Sequence, residues 1–388
     1  MSAPEPRIPV VLSLGARPFF VVAAAWAVVA IGLWPEVLTG RIALPSTFAP
    51  IQWHAHELIF GYTGAAMAGF VLTAVANWTG RPPVSGARLG TLVVLWLIGR
   101  IAVACSATLP GLGFAALAFP ALLAVLVDHQ IEASGNARNR KVVLLLAIFA
   151  LADMGFHLSV WFDWDSGYAT RGGLAILVLL ILLVGGRVTP NFTRNWLKKN
   201  NIPVTIGETG RGDAVAMGLA IAAVIAWVIR PEAPLLAPLQ LLAGLATLWR
   251  LSRWQGWTIR RDALLGVLHL GYLFAGLGFL AAFARAAWPD LVPNAMVIHV
   301  WAIGAIGMMT LAMMTRATLG HTGGTLRADG LTVVAFLLLP VALAARLGLA
   351  WWPEHFTVLL HFAATAWAGA FVLFLIRYAP ALLRRGGS

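Results

Sequence analysis

The residues able to do chemistry in this sequence are nine histidines and a few carboxylates set among apolar neighbours. The densest group is Gln52-Trp53-His54-Ala55-His56-Glu57. Asp153 and His157 follow at i, i+4, and His269, His299, His321 and His361 are scattered through the second half, with His129 and His355 completing the nine. Imidazole-rich sites without thiolate suit haem iron, copper or zinc. Carboxylates are too sparse for a hard-cation cage. Cys105 is the single cysteine, which excludes an internal disulfide, a CxxC pair and a CxxCH attachment for covalent haem. Any haem would be held by axial ligands and packing alone. No nucleotide-binding loop, nucleophile elbow or HExxH zinc motif occurs.

The scaffold that must position these groups is set by composition. Of 388 residues, 60% are hydrophobic and only 11% charged, with a mean hydropathy of +0.85. A soluble domain runs nearer about 45–50% apolar and about 25% charged. The natural solvent for this chain is lipid, which excludes a secreted disulfide scaffold, a disordered chain and an ordinary soluble enzyme. Apolar runs of about 20 residues, enough to cross a bilayer, are centred near Ala27, Gly64, Leu95, Pro120, Ile148, Val178, Ala222, Leu242, Tyr272, Ala305, Leu338 and Ala368. The eighth is the weakest, with a proline-rich entry (Pro231, Pro234, Pro238). The first, Pro18 to Trp34, is too long and too poorly flanked for a cleaved signal peptide and reads as a retained span. The longest connection runs from about Arg187 to Asp213, basic and polar, and no connection has room for a globular domain. The expectation is an all-α polytopic membrane protein, residues 1–388 forming a single domain of twelve transmembrane helices.

Lysine and arginine test that count, because cytoplasmic loops keep an excess of them. With the N-terminus inside, the inner segments hold Arg7, Arg17, Arg81, Arg88, Arg138, Arg140, Lys141, Arg187, Arg194, Lys198, Lys199, Arg211, Arg250, Arg253, Arg260, Arg261, Arg316, Arg327, Arg377, Arg384 and Arg385, which is 21 of the 27. The six outer loops carry one each: Arg41, Arg100, Arg171, Arg230, Arg285 and Arg346. The alternation places both termini in the cytoplasm. It also explains the net charge of +12 as a topology signal, so nucleic acid is excluded as a partner.

Depth then sorts the histidines at about 1.5 Å per helical residue. His54, His56, His157, His299 and His361 gather near the outer face, whereas His269 and His321 lie toward the inner one. Ionisable groups inside a membrane are functional candidates by default, but each has a plainer reading. His129 and His355 fit solvated helix ends, and His361 fits a structural role. His54 and His56 point about 200° apart on a continuous helix, so they share a metal only if the helix begins between them or its backbone is irregular. Glu57 reads equally as an acceptor orienting an imidazole, a proton relay, or a partner for Arg41. Asp153 with His157 reads as a pair that orients a ligand or neutralises itself. His269, with Tyr272 at i+3, is a ligand or a hydrogen-bonded core histidine. A weak internal match sets His56 on His299, Gly61 on Gly304, Gly64 on Gly307 and Thr79-Gly80 on Thr322-Gly323. Gly276-Leu277-Gly278 lies inside a span and signals helix packing.

Four motifs carry a resemblance. WHAHELIFGYTGAAMAGFVLTAVANWTG (Trp53 to Gly80), GGRVTPNFTRNWL (Gly185 to Leu197), VLHLGY (Val267 to Tyr272) and HVWAIGAIGMMTLAMMTRATLGHTGG (His299 to Gly324) resemble the NnrS family, and the likeness extends from Arg17-Pro18-Phe19-Phe20 to the end of the chain. The resemblance implies a twelve-span bacterial inner-membrane protein containing haem and copper, linked to nitric oxide metabolism, denitrification and nitrosative stress. The ligands it suggests are His54, His56, His269, His299 and His321, with His157 in a looser motif.

Three functions compete on that basis. The first is a metal-dependent oxidoreductase that removes nitric oxide by reduction. Here His54, His56 and His299, with His157, form an outer copper or haem site, and His269 and His321, beside Tyr272, ligate a second, inner cofactor, haem b and copper being the two cofactors expected. Arg316 and Arg187 pair with haem propionates or snorkel to lipid headgroups. Glu57 and Asp153 handle protons, and electrons come from a quinol or a donor protein. The second is a twelve-span transporter of a metal or a nitrogen-oxide species, against which stands the lack of a half-to-half repeat. The third is a binder or sensor that holds nitric oxide without turnover.

Overall fold

In hydrocarbon a chain must satisfy its backbone N–H and C=O groups internally, which for long apolar runs leaves the α-helix. The computed structural model describes residues 8–135, 139–259 and 261–384, so Arg7, Arg138, Arg260 and Arg385 of the charge pattern lie outside the described residues. Among the described residues there is no strand, and twelve helices are long and apolar enough to cross a membrane. They are α1 (Ala16–Leu38), α2 (Pro50–Thr79), α3 (Gly86–Ala104), α4 (Leu112–Glu132), α5 (Arg140–Trp161), α6 (Gly167–Lys199), α7 (Arg211–Ile229), α8 (Pro234–Ser252), α9 (Ala263–Ala287), α10 (Asn294–His321), α11 (Gly330–Gly348) and α12 (Pro353–Leu383). Each of the twelve expected runs falls inside one of them. The protein is a multi-pass membrane protein.

Two expectations are corrected by the helix boundaries. The stretch from Arg187 is not a connection: helix continues to Lys199, through Pro190, so α6 runs 33 residues. Thr189, Thr193 and Leu197 recur at i, i+4 and are buried, which gives this polar segment one packed face while Arg194, Lys198 and Lys199 take the other. Several arginines assigned to loops also lie within helices. Arg100 is in the last turns of α3, Arg171 in the first turns of α6 and Arg250 in the last turn of α8, and all three are buried.

The helices repeat in fours. α1, α5 and α9 have 23, 22 and 25 residues; α3, α7 and α11 have 19 each; α4, α8 and α12 each begin with a 3-10 turn. The second member of each set, α2, α6 and α10, is the one broken by a π-helical segment: Glu57–Thr63, Ile181–Gly185 and Val300–Gly307. Ile181 lies 124 residues after Glu57 and Val300 a further 119, and the same steps carry Ala16 to Arg140 and Arg211 to Gly330. The total of 243 is the offset of the His56/His299 match, which is therefore the first-to-third match of a threefold repeat and not a half-to-half one. The likeness reaches the helix ends, where Gly80 and Gly323 both adopt left-handed φ (+67° and +77°).

A π turn loosens the i→i−4 ladder and leaves carbonyls for side chains to bond. In the first, Thr63 Oγ1 donates to the Leu58 carbonyl at 2.8 Å and Trp96 Nε1 to the Gly61 carbonyl at 3.0 Å. In the second, Arg187 Nε donates to the Leu183 carbonyl at 3.2 Å. Gly61 is tightly enclosed: a Cβ there would collide with Arg100 Nη1 and stand 2.9 Å from Glu57 Oε2 and 3.0 Å from Trp26 Nε1. Gly61→Ala is expected to lower the thermal midpoint by several degrees, equivalent to about 1–3 kcal/mol of overpacking, readable by circular dichroism in detergent.

Backbone proximity divides the chain into two compact units, Met1–Ser166 with Met314–Thr325 and Phe374–Ser388, and Gly167–Met313 with Leu326–Leu373. In the first unit α1 packs on α2 and α4 on α5, and Arg17 Nη1 donates to the Leu382 carbonyl at 2.8 Å. In the second, α9 packs closely on α8 and on α10. Gly276 receives Leu248 of α8 and Gly278 receives the Trp301 ring of α10, so the GxG element of α9 is helix packing.

Candidate metal centre

Within the first unit, the turn of α2 just before its π segment faces α5. His56 is the last α-helical residue, and the π segment begins at Glu57. Asp153 and His157 share one face of α5. His56 Nε2 lies 3.0 Å from Asp153 Oδ1 and His56 Nδ1 lies 2.9 Å from Glu57 Oε1. The other oxygen of Glu57 accepts from Arg100 Nη1 at 2.8 Å. His157 Nε2 stands 3.7 Å from Asp153 Oδ1 and makes no hydrogen bond, and the His56 and His157 rings lie 4.9 Å apart, nearly perpendicular. No member of this group is more than 4% exposed. Phe48, Phe60 and Phe156 pack around His56, and Phe48 and Phe114 around His157.

With both carboxylates ionised, His56 donates from each ring nitrogen, as an imidazolium. Its charge and that of Arg100 match the two carboxylates, which is the condition for burying four ions. The same atoms form a ligand set. One donor atom each from His56, Asp153 and His157 lies within 4.8 Å of the others, and this is the sole group of three or more such donors among the described residues. A cation replacing the proton on His56 Nε2 would meet an imidazole already oriented through Nδ1–H by Glu57, an arrangement typical of metal sites. His157 Nε2, buried without a hydrogen bond, supplies the second nitrogen. Two imidazoles and a carboxylate suit zinc, iron or copper(II). The residues present fit a metal ion.

The remaining sequence candidates are placed as follows. His54 does not join His56 but stacks on Trp34 of α1, with centroids 4.1 Å apart and planes 18° apart. Glu57 is not a partner of Arg41, which pairs with Glu36 at 3.2 Å; Arg100 takes that place. In the second unit His299 Nδ1 donates to the Ala295 carbonyl, its Nε2 thereby the basic nitrogen. His269 meets Thr193 Oγ1 at 2.9 Å through Nε2; because that hydroxyl donates to the Thr189 carbonyl, the imidazole donates, and its basic Nδ1 faces Gly256, where a Cβ would stand 2.7 Å away. Tyr272 is buried, and its hydroxyl accepts from Arg250 Nη1 at 2.8 Å. Arg250 Nε in turn donates to Asp213 Oδ1 at 2.9 Å. Arg187 and Arg316 are half-buried, and His321 is the exposed last residue of α10. Gly256 carries no side chain on this side, so the His269 ring packs directly against the glycine.

Arg100 and the Arg250–Asp213 pair are the site-level residues that sequence reasoning missed. The available signal was position: Arg100 sits between Ile98-Gly99 and Ile101-Ala102-Val103, with none of the polar neighbours a loop would supply.

No curated protein matches this sequence. The family model described as NnrS protein matches residues 10–385. With nearly its whole length inside that match, the chain belongs to the NnrS family.

Proposed function

We propose that this protein is a membrane metalloprotein that binds nitric oxide at a buried metal and removes it, with His56, Asp153 and His157 as the ligands. Family membership fits a protein of the nitric oxide response. The observation that carries the reading is the convergence of three buried donors on one point inside membrane-spanning helices. Nitric oxide is small, neutral and lipid-soluble, so an intramembrane metal needs no charged substrate pocket. The metal would supply a place for nitric oxide to bind and an electron to reduce it. The chain's own contribution is to exclude water with Phe48, Phe60 and Phe156 and to fix His56 through the hydrogen bond of its Nδ1 to Glu57. Copper is the metal proposed, and a quinol or donor protein the electron source. Haem b at His269 and His321, with Tyr272, Arg187 and Arg316, rests on the family resemblance, as does the bacterial inner membrane. The charge pattern supports cytoplasmic termini, with lipid the surrounding partner.

A second reading, transport of a metal or nitrogen-oxide species, is favoured by one observation, the threefold repeat of four helices, since transporters are often built from internal repeats. The two readings part on one sample. Protein purified in detergent is expected to carry metal in stoichiometric amount, to change its absorption on adding nitric oxide, and to consume nitric oxide when given a reductant. His157→Ala should lose at least about 90% of that metal while remaining folded, since even outer hydrogen-bond partners of metal ligands cost about 10–100-fold in affinity. Wild-type protein that is colourless and metal-free when well folded would overturn the metal reading and leave transport. Metal and spectrum without consumption would leave a binder.

A further inference from the structure

The three donors are at most 2% exposed, yet an open cleft of about 550 Å³ comes within one side chain of them. Its walls are the loop from α1 to α2, including Ala43, Ser46 and Ala49, with Val160 and Asp163 at the end of α5. Phe48 belongs to both places. It lines the cleft, is 6% exposed, and its ring lies 5.2 Å from that of His56 and 5.3 Å from that of His157, stacked on Phe156. The loop backbone around it is anchored. Ser46 Oγ donates to the Val103 carbonyl at 2.7 Å, and the Thr47 N–H donates to Ser106 Oγ at 2.9 Å. What remains to move is the phenyl ring.

We propose that this cleft is the port through which ligands reach the metal, and that Phe48 is the residue selecting them by size and hydration. The proposal rests on the metal reading. A ring edge lying against two imidazoles admits a small uncharged molecule on a slight rotation. A hydrated ion or a bulky chelator would have to shed water against an apolar ring, which is unfavourable. The selected class is the small neutral diatomic, of which nitric oxide is one.

Cobalt(II), bound by the full-length protein in detergent, makes the site visible through its absorption. In Phe48→Ala, 4-phenylimidazole should bind, and EDTA should strip cobalt, at least about tenfold faster, with nitric oxide association changed less than about threefold. Phe48→Leu should fall between. Ala43→Trp narrows the cleft without touching either imidazole and should slow nitric oxide association about tenfold at unchanged cobalt stoichiometry. Cobalt bound as expected, but with Phe48→Ala and Ala43→Trp both at wild-type rates, would overturn the port. Cobalt absent from the wild type, or retained in full by a His56→Ala/His157→Ala variant, would overturn the metal reading instead.

Discussion

Replacing Arg100 by methionine is expected to destabilise the protein by about 3–5 kcal/mol, the cost of leaving one buried ion without its partner. Glu57 is fully buried and has two charged neighbours, Arg100 at 2.8 Å and His56 at 2.9 Å, and His56 is shared with Asp153. With Arg100 gone, one imidazolium faces two carboxylates away from water. The check is thermal unfolding in detergent, and the informative comparison is Glu57→Gln/Arg100→Met. Removing both charges restores neutrality, so the double variant should recover more than half of the loss. Equal losses in the single and double variants would show that Arg100 acts through its packing on Gly61 and not through charge. Arg253→Met provides the contrast. Asp213 would keep Arg250 at 2.9 Å, and Arg253 is itself one-third exposed, so little should change.

Asp153→Ala carries the second large effect, and it acts on metal. Asp153 Oδ1 is the one oxygen that both imidazoles approach, at 3.0 Å and 3.7 Å. Its removal should lower affinity for cobalt or copper by more than about 100-fold, since even outer hydrogen-bond partners of metal ligands cost 10–100-fold. Glu57→Gln tests the outer position itself. Its carbonyl oxygen can still accept from His56 Nδ1, so affinity should fall by only about tenfold. Titrating apo protein with metal at fixed pH, while following proton release in weak buffer, reads both. Loading should release a proton, because the cation takes the position His56 Nε2–H holds. No release on loading would mean that the metal binds elsewhere.

The legibility of these features in the sequence follows physical lines. Twelve spans are readable because apolar length is a local property, and Asp153 with His157 because i, i+4 is one too. The end of α6 is not readable by hydropathy, since Arg187 to Lys199 is polar and helical only through a narrow face of Thr189, Thr193 and Leu197. Nor is the meeting of His56 with Asp153 across 97 residues, which depends on how α2 and α5 pack. Arg100 deceives for a related reason: one cation between apolar runs resembles a loop marker until its acid, 43 residues earlier, is placed beside it. The π segments leave a trace only as glycines and histidines matching at 243 residues, and a twofold search passes over them because the repeat is threefold.

That repeat gives the cluster of His56, Asp153 and His157 a role apart from chemistry. His56 belongs to the first set of four helices, whereas Asp153 and His157 open the second. At the equivalent places the other copies hold Leu180 and His299 for His56, and the first copy holds Val29 for Asp153. Ancestral copies could have been joined with the same polarity, since an even number of crossings returns the chain to its starting side. Among the described residues only the junction between the first and second sets holds the full set of three donors. An ion bound there is a rivet between two modules, and protein starved of metal should show faster amide exchange along α2 and α5 than along helices within either module.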